Sequence, residues 1–258
     1  MPDEVLLLLQ AGVLDITINR PDRANALDAG VLRGLREALH AAAGDPAVRV
    51  VTLSGVGDRV FCAGADLKSA LGSREGGLAF QPADYRALIQ EILDCPKPTV
   101  ALARGHVMAG GIGILLACDL ALACDDIHFS TPEIHVGMYP MMVLSLLYRH
   151  VGRKRAAEML LLGDRIPAST ARDFGIINRA VPRDRFEAEA GRTVRGLAEK
   201  SSAILRLGKE AAARVAGRGL QEDLEYLESA LSRVMACSDS KEGLTAFLEK
   251  RKPHWKDE

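Results

Sequence analysis

The chain has 258 residues, enough for one large domain, or for one domain with a smaller appendage, around a sizeable core. Its 33 Lys and Arg nearly balance 34 Asp and Glu, leaving a net charge of −1, so no basic field addresses nucleic acid or an anionic membrane. Five cysteines (62, 95, 118, 124 and 237) are odd in number, scattered and free of any CxxC pair, which argues for a reduced compartment and against a disulfide framework or zinc ribbon. No apolar run approaches the roughly 18 residues of a membrane span, and MPDEVLLLLQ carries acids where a secretory signal needs bases. The expectation is a cytoplasmic protein with neither a membrane nor a nucleic-acid partner.

The chain opens with two strand-like runs, residues 5–9 and 13–19, the second alternating Leu14, Ile16 and Ile18 with Asp15, Thr17 and Asn19. This is a hairpin with one wet face. A turn-rich loop at 20–25 leads to Asp28, an N-cap for a helix carrying Val31, Leu32, Leu35, Ala38, Leu39 and Ala42 on one side. Residues 48–53 are nearly all apolar or β-branched, as a strand covered on both faces is. Alternation of strands and helices indicates the α/β class. Residues 60–68, VFCAGADLK, then form a short strand, a turn at Gly64 and Asp66 near a helix start. The turn either presents backbone to a ligand or is an ordinary tight turn capped by Asp66. Residues 70–80 read as a surface loop of the kind that gates substrates, and a helix from Pro82 carries Leu88, Ile89, Ile92 and Leu93.

The stretch GHVMAGGIGILLACD, residues 105–119, follows a buried strand at 98–103 and enters a wholly apolar helix at 112–117. Glycines there admit a close ligand, and the unsatisfied N–H groups of a helix's first turn favour negative charge. The site binds an anion, or an oxygen becoming one, unless Gly110, Gly111 and Gly113 serve only close helix packing. After a further buried strand at 120–123, the loop FSTPEIHVGM at 129–138 holds one carboxylate among apolar neighbours. Glu133 is either an acid/base whose charged form is disfavoured by desolvation, or a solvated or capping charge. Helices at 141–150 and 156–162, a strand-like run at 176–181 and an all-helical region from about 186 complete the chain, with a basic tail at 250–256 around the only Trp. Met138, Met141, Met142 and Leu144 suit either a flexible apolar pocket or plain core.

Six segments, RPDRANALD (20–28), FCAGADLK (61–68), GHVMAGGIGILLACD (105–119), FSTPEIHVGM (129–138), LLGDRIPASTARDFGIINRAVP (161–182) and EGLTAFLEKRKPHW (242–255), occur in an order that resembles the crotonase superfamily, the enoyl-CoA hydratase/isomerase family. The resemblance implies a spiral of ββα units over residues 1–195, a C-terminal helical domain at 196–258, and homotrimers or dimers of trimers. It implies an acyl-CoA thioester as substrate, no metal, and no cofactor beyond the coenzyme A of that substrate. Ala65 N–H and Gly110 N–H resemble the family's oxyanion hole, with Glu133 as acid/base. Arg23, Ala24, Ala26, Ala63, Gly64, Asp66, Leu67, Gly111 and Pro132 fall at positions that contact substrate or its CoA portion, and the basic tail matches a segment near the CoA phosphates. Family hydratases carry a second glutamate three residues after the oxyanion glycine. Here that position is Gly113, which favours moving a double bond from the 3 to the 2 position with one base over adding water. Hydration of a 2-enoyl-CoA is the alternative, and a non-catalytic thioester-binding or RNA-binding role is a further one. A dinucleotide site at Gly111 to Gly113 lacks its third glycine, which is Leu116.

Overall fold

The computed structural model describes residues 4–66, 80–215 and 219–257. Leu67, Lys68 and residues 70–79 of the expected surface loop lie outside them. The first strand, β1 (Val5–Gln10), turns through Ala11 and Gly12 into β2 (Val13–Ile18), which pairs with it antiparallel. Along β2, Leu14, Ile16 and Ile18 are buried while their neighbours are half-buried. The expected hairpin forms, but it has more than one wet face, because Leu6, Leu7, Leu8 and Leu9 of β1 are all exposed.

Asp28 caps α1 (Ala29–Gly44) by accepting the Val31 N–H at 3.0 Å, and the six apolar residues of its stripe are the ones buried. From there the chain repeats one unit. β3 (Val50–Gly55), β4 (Val60–Cys62) and α2 (Pro82–Asp94) are followed by β5 (Thr99–Ala103), β6 (His106–Met108) and α3 (Gly110–Ala117), and then by β7 (Leu120–Cys124), β8 (His128–Ser130) and α4 (Met141–His150). Among the described residues, one sheet takes the first strand of each unit, in the order β1-β2-β3-β5-β7-β10, with β10 at Arg179–Val181. A second sheet takes the other strand, in the order β4-β6-β8-β9, with β9 at Ile166–Pro167. This is the spiral of ββα units. Its strands β3, β5 and β7 are buried almost throughout, as a parallel sheet covered by helices requires.

The remaining helices are α5 (Arg153–Leu162), α6 (Ala168–Phe174), α7 (Phe186–Ala198), α8 (Ser202–Val215), α9 (Leu220–Ala236) and α10 (Ser238–Leu248). Buried Asp239 holds the tail by accepting from Ser201 Oγ at 2.6 Å and from the Lys256 and Asp257 N–H groups. Trp255 Nε1 donates to Glu199 O at 2.7 Å. Leu220, Leu224, Leu231, Leu244, Phe247 and Leu248 leave a broad apolar surface on α9 and α10 exposed.

Two sequence expectations shift. β6 lies inside the glycine-rich stretch 105–119, where the sequence marks no strand, because three residues carry too little periodicity. On α2 the buried positions are Tyr85, Leu88 and Ile92, spaced as one helical face demands, and Leu93 points to solvent.

Candidate active site

The small sheet gathers the loops that carry the candidate groups. β4, β6 and β8 are parallel neighbours, so their C-terminal ends meet along one edge. The loops leaving that edge are residues 63–66, 109–110 and 131–133, the three places where the sequence put functional groups. Loops beyond the carboxyl ends of parallel strands are where α/β folds hold ligands.

The first loop is fixed by its neighbours. Leu27 N–H donates to Gly64 O at 2.8 Å and Leu27 O accepts from Asp66 N–H at 2.9 Å, so Ala65 sits between two tied residues in a parallel bridge with its own N–H turned away from Leu27. Asp66 is buried and binds the Arg20 guanidinium at 3.0 Å. That guanidinium also meets Asp28 at 2.9 Å, Glu4 at 3.2 Å and Ala26 O at 2.8 Å. Arg20 is thus the hub joining residues 20–28 to the 63–66 turn, and nothing in a lone arginine of a charged loop marked it. Ala63 N–H donates to Ala24 O at 3.2 Å, and Ala26 N–H to Arg23 O at 3.0 Å. Arg23 is exposed, while Ala24 and Asn25 take left-handed backbone.

The second loop touches the first. A Cβ on Gly64, whose φ is +85°, would lie 2.5 Å from Ala109 Cβ and 2.9 Å from Gly110 N. Only glycine permits that approach, and it brings Ala65 beside Gly110. Ala109 N–H donates to Ser130 O at 3.0 Å, leaving Gly110 as the first residue of α3 with a free N–H. Among the described residues, neither Ala65 N–H nor Gly110 N–H has an acceptor. Gly111 backs onto β4, where a Cβ would lie 2.6 Å from Cys62 O. Burial pushes the Cys62 thiol up to about 12, so it stays protonated beside the site.

The third loop is a 3-10 turn, Pro132–Val136, with Pro132 at its first position, where a missing N–H costs nothing. Thr131 Oγ1 donates to Met159 O at 2.7 Å and Met138 N–H to Glu133 O at 3.0 Å, pinning the turn at both ends. Glu133 is half-buried, and its Oε2 is buried with no partner among the described residues. Desolvation raises its carboxyl above the usual range, against a smaller opposing effect from its own backbone N–H. In the same loop Ile134, Val136 and Met138 are exposed and apolar, and at the start of α4 Met141 is exposed while Met142 and Leu144 are half-buried against the core.

Tyr85 was missed. Its hydroxyl donates to Gly110 O at 2.6 Å, and it lies 2.0 Å from where a Cβ on Gly113 would be. As an aromatic on an apolar helical stripe it looks like core in the sequence. Surface clefts of about 650 and 350 Å³ lie elsewhere, between β1 and α1 and between α2 and α8.

Fold and loops together define a class, the two-sheet α/β spiral of crotonase type. The family model for enoyl-CoA hydratase/isomerase matches residues 9–258. The chain is 33% identical over 247 residues to the mitochondrial enoyl-CoA hydratase of Pongo abelii, covering 94% of this chain and 83% of that protein. The crystal structure of enoyl-CoA hydratase from Bacillus anthracis superposes with a TM-score of 0.94 at 30% identity, covering 99% of this chain and 100% of that one. Human enoyl-CoA hydratase domain-containing protein 3 superposes with a TM-score of 0.92 at 30% identity over 98% of this chain and 100% of that one. The chain belongs to the enoyl-CoA hydratase/isomerase family and is an enzyme of it.

Proposed function

We propose that this enzyme moves the double bond of a 3-enoyl-CoA thioester to the 2 position, using Glu133 as its single acid/base and the N–H groups of Ala65 and Gly110 as an oxyanion hole. The observation that carries this reading is the pairing of one desolvated carboxylate at 133 with a side-chain-free position at 113. Hydration asks for one group to activate water and another to deliver a proton to carbon. A double-bond shift asks for one group that takes a proton and gives it back.

The steps follow from the substrate's own chemistry. Glu133 removes a proton from C2, which is acidified by the thioester carbonyl and by the C3–C4 double bond. The electron pair moves onto the thioester oxygen as a dienolate, stabilised by the two backbone donors at about 3 kcal/mol each. The same carboxyl, now protonated, returns the proton at C4, leaving a C2–C3 double bond. No resident metal or cofactor is required. The exposed Val136, Met138 and Met141 suit the apolar tail of the acyl group, and the Arg23 side chain suits the CoA portion. The apolar surface of α9 and α10 supports self-association into trimers or dimers of trimers. The five free cysteines support a cytoplasmic location.

The test is to supply 3-enoyl-CoA and 2-enoyl-CoA separately in heavy-oxygen water, with Glu133→Gln as control. The expected result is conversion of the 3-enoyl substrate without heavy-oxygen uptake, falling by about 10²- to 10⁴-fold in the variant. Rapid heavy-oxygen incorporation into a 3-hydroxyacyl product would make the enzyme a hydratase.

A further inference from the structure

Tyr85 comes from α2 and is 2% exposed, wedged against the first turn of α3. Its ring edge lies 3.3 Å from where a Cβ on Gly110 would be, and its hydroxyl donates to the Gly110 carbonyl at 2.6 Å. At Gly113 a Cβ would lie 2.0 Å from that hydroxyl and 3.2 Å from the ring carbon bearing it, with Val143 Cγ2 at 3.4 Å. The hydroxyl and any side chain at 113 therefore compete for one volume. Burial above all, and then the nearby Cys62 and Glu133, hold the phenol in its neutral form. Its one proton is already given to Gly110 O, so it has none left to supply in a reaction cycle. Tyr85 acts by position.

We propose that Tyr85 sets the type of reaction: it occupies the space of a side chain at 113, so the site holds one carboxylate, and it anchors the Gly110 turn that carries an oxyanion donor. This rests on the reading of Glu133 as the single acid/base, which it deepens by naming what keeps a second acid out. Tyr85 is a positioning residue in this scheme, remote in sequence from the loops it controls.

The experiment compares the wild type with Gly113→Glu, Tyr85→Leu, the double variant and Tyr85→Phe. Thermal melting reads the steric claim without reference to activity. Gly113→Glu is expected to lower the melting temperature by about 5 °C with Tyr85 present, and by much less in the Tyr85→Leu background. Heavy-oxygen uptake into 2-enoyl-CoA reads the chemical claim, with a rise over wild type of about 10²-fold in the double variant and none in Gly113→Glu alone. Tyr85→Phe keeps the ring and loses the bond to Gly110, and is expected to lower kcat about tenfold with KM unchanged. The proposal is overturned if Gly113→Glu melts with the wild type, if it gains hydration with Tyr85 in place, if the folded double variant hydrates no faster than wild type, or if Tyr85→Phe keeps full kcat. Failure of the wild type to isomerise 3-enoyl-CoA would instead overturn the proposed function, while the melting comparison still decides whether Tyr85 and a side chain at 113 exclude each other.

Discussion

Gly64→Ala tests whether the two backbone donors act on one atom. The new Cβ would sit 2.5 Å from Ala109 Cβ and 2.9 Å from Gly110 N, where ordinary carbon contacts are about 3.5–4.0 Å. The two turns must separate by about 1 Å to admit it. At φ +85° alanine also bears a left-handed penalty of about 1–2 kcal/mol, and overpacking adds about 1–3 kcal/mol. The expected destabilisation is therefore about 2–5 kcal/mol, readable as a lower midpoint in urea. Moving one donor off the oxyanion removes most of its contribution of about 3 kcal/mol, so kcat should fall about 10²-fold. Steady-state kinetics on the 3-enoyl thioester, run where the variant is fully folded, supplies the comparison. A folded Gly64→Ala enzyme with near-wild-type kcat would refute the shared oxyanion hole.

Glu133→Gln should stabilise the protein near neutral pH, in addition to its loss of activity. The folded carboxyl titrates above its ordinary value, so the native state binds more protons than the unfolded chain between the two, and stability falls as pH rises through the folded pKa. Urea melts of wild type and variant across pH 4 to 8 check the sign; equal pH dependence would sink it. By the same titration, wild-type kcat/KM should rise with pH through a value above the ordinary glutamate range, and a bell-free flat profile would contradict a base at 133. Asn25→Ala should cost about 3 kcal/mol, because Asn25 is 1% exposed, donates to Val56 O at 3.1 Å and Val60 O at 2.7 Å, accepts from Arg20 N–H at 3.0 Å and holds φ +53°. Equilibrium unfolding measures it, and a loss under about 0.5 kcal/mol would show those bonds to be dispensable. Asp66→Asn should cost about 2 kcal/mol by weakening the Arg20 hub at 3.0 Å, and should raise KM for the thioester by loosening the 63–66 turn. An unchanged KM would separate the hub from the site.

Much of this was readable in the chain because local physics is enough for it. Asp28 before an amphipathic stripe gives a capped helix, an apolar run at 48–53 gives a buried strand, and a glycine turn ahead of residues 112–117 gives a free helix N-terminus. Glu133 among apolar neighbours likewise signals a desolvated carboxylate. What was not readable depends on contacts distant in sequence. The second sheet uses strands of two or three residues, too short for a pattern, so nothing local says that the loops at 63, 109 and 131 share one edge. Tyr85 differs from a core aromatic only through Gly110 and Gly113, 25 and 28 positions away on another helix. Arg20 likewise becomes a hub only once Glu4, Asp28 and Asp66 are folded around it.

The most direct measurement uses 3-enoyl-CoA carrying two deuterium atoms at C2, turned over briefly in ordinary water, with the product's label located by mass spectrometry and NMR. A single carboxyl whose buried Oε2 has no partner exchanges slowly with water, so a substantial share of product should carry one of those deuterium atoms at C4. Product with only solvent hydrogen at C4, even in the first turnovers, would mean that separate groups remove and deliver the proton, and would contradict a one-carboxylate enzyme.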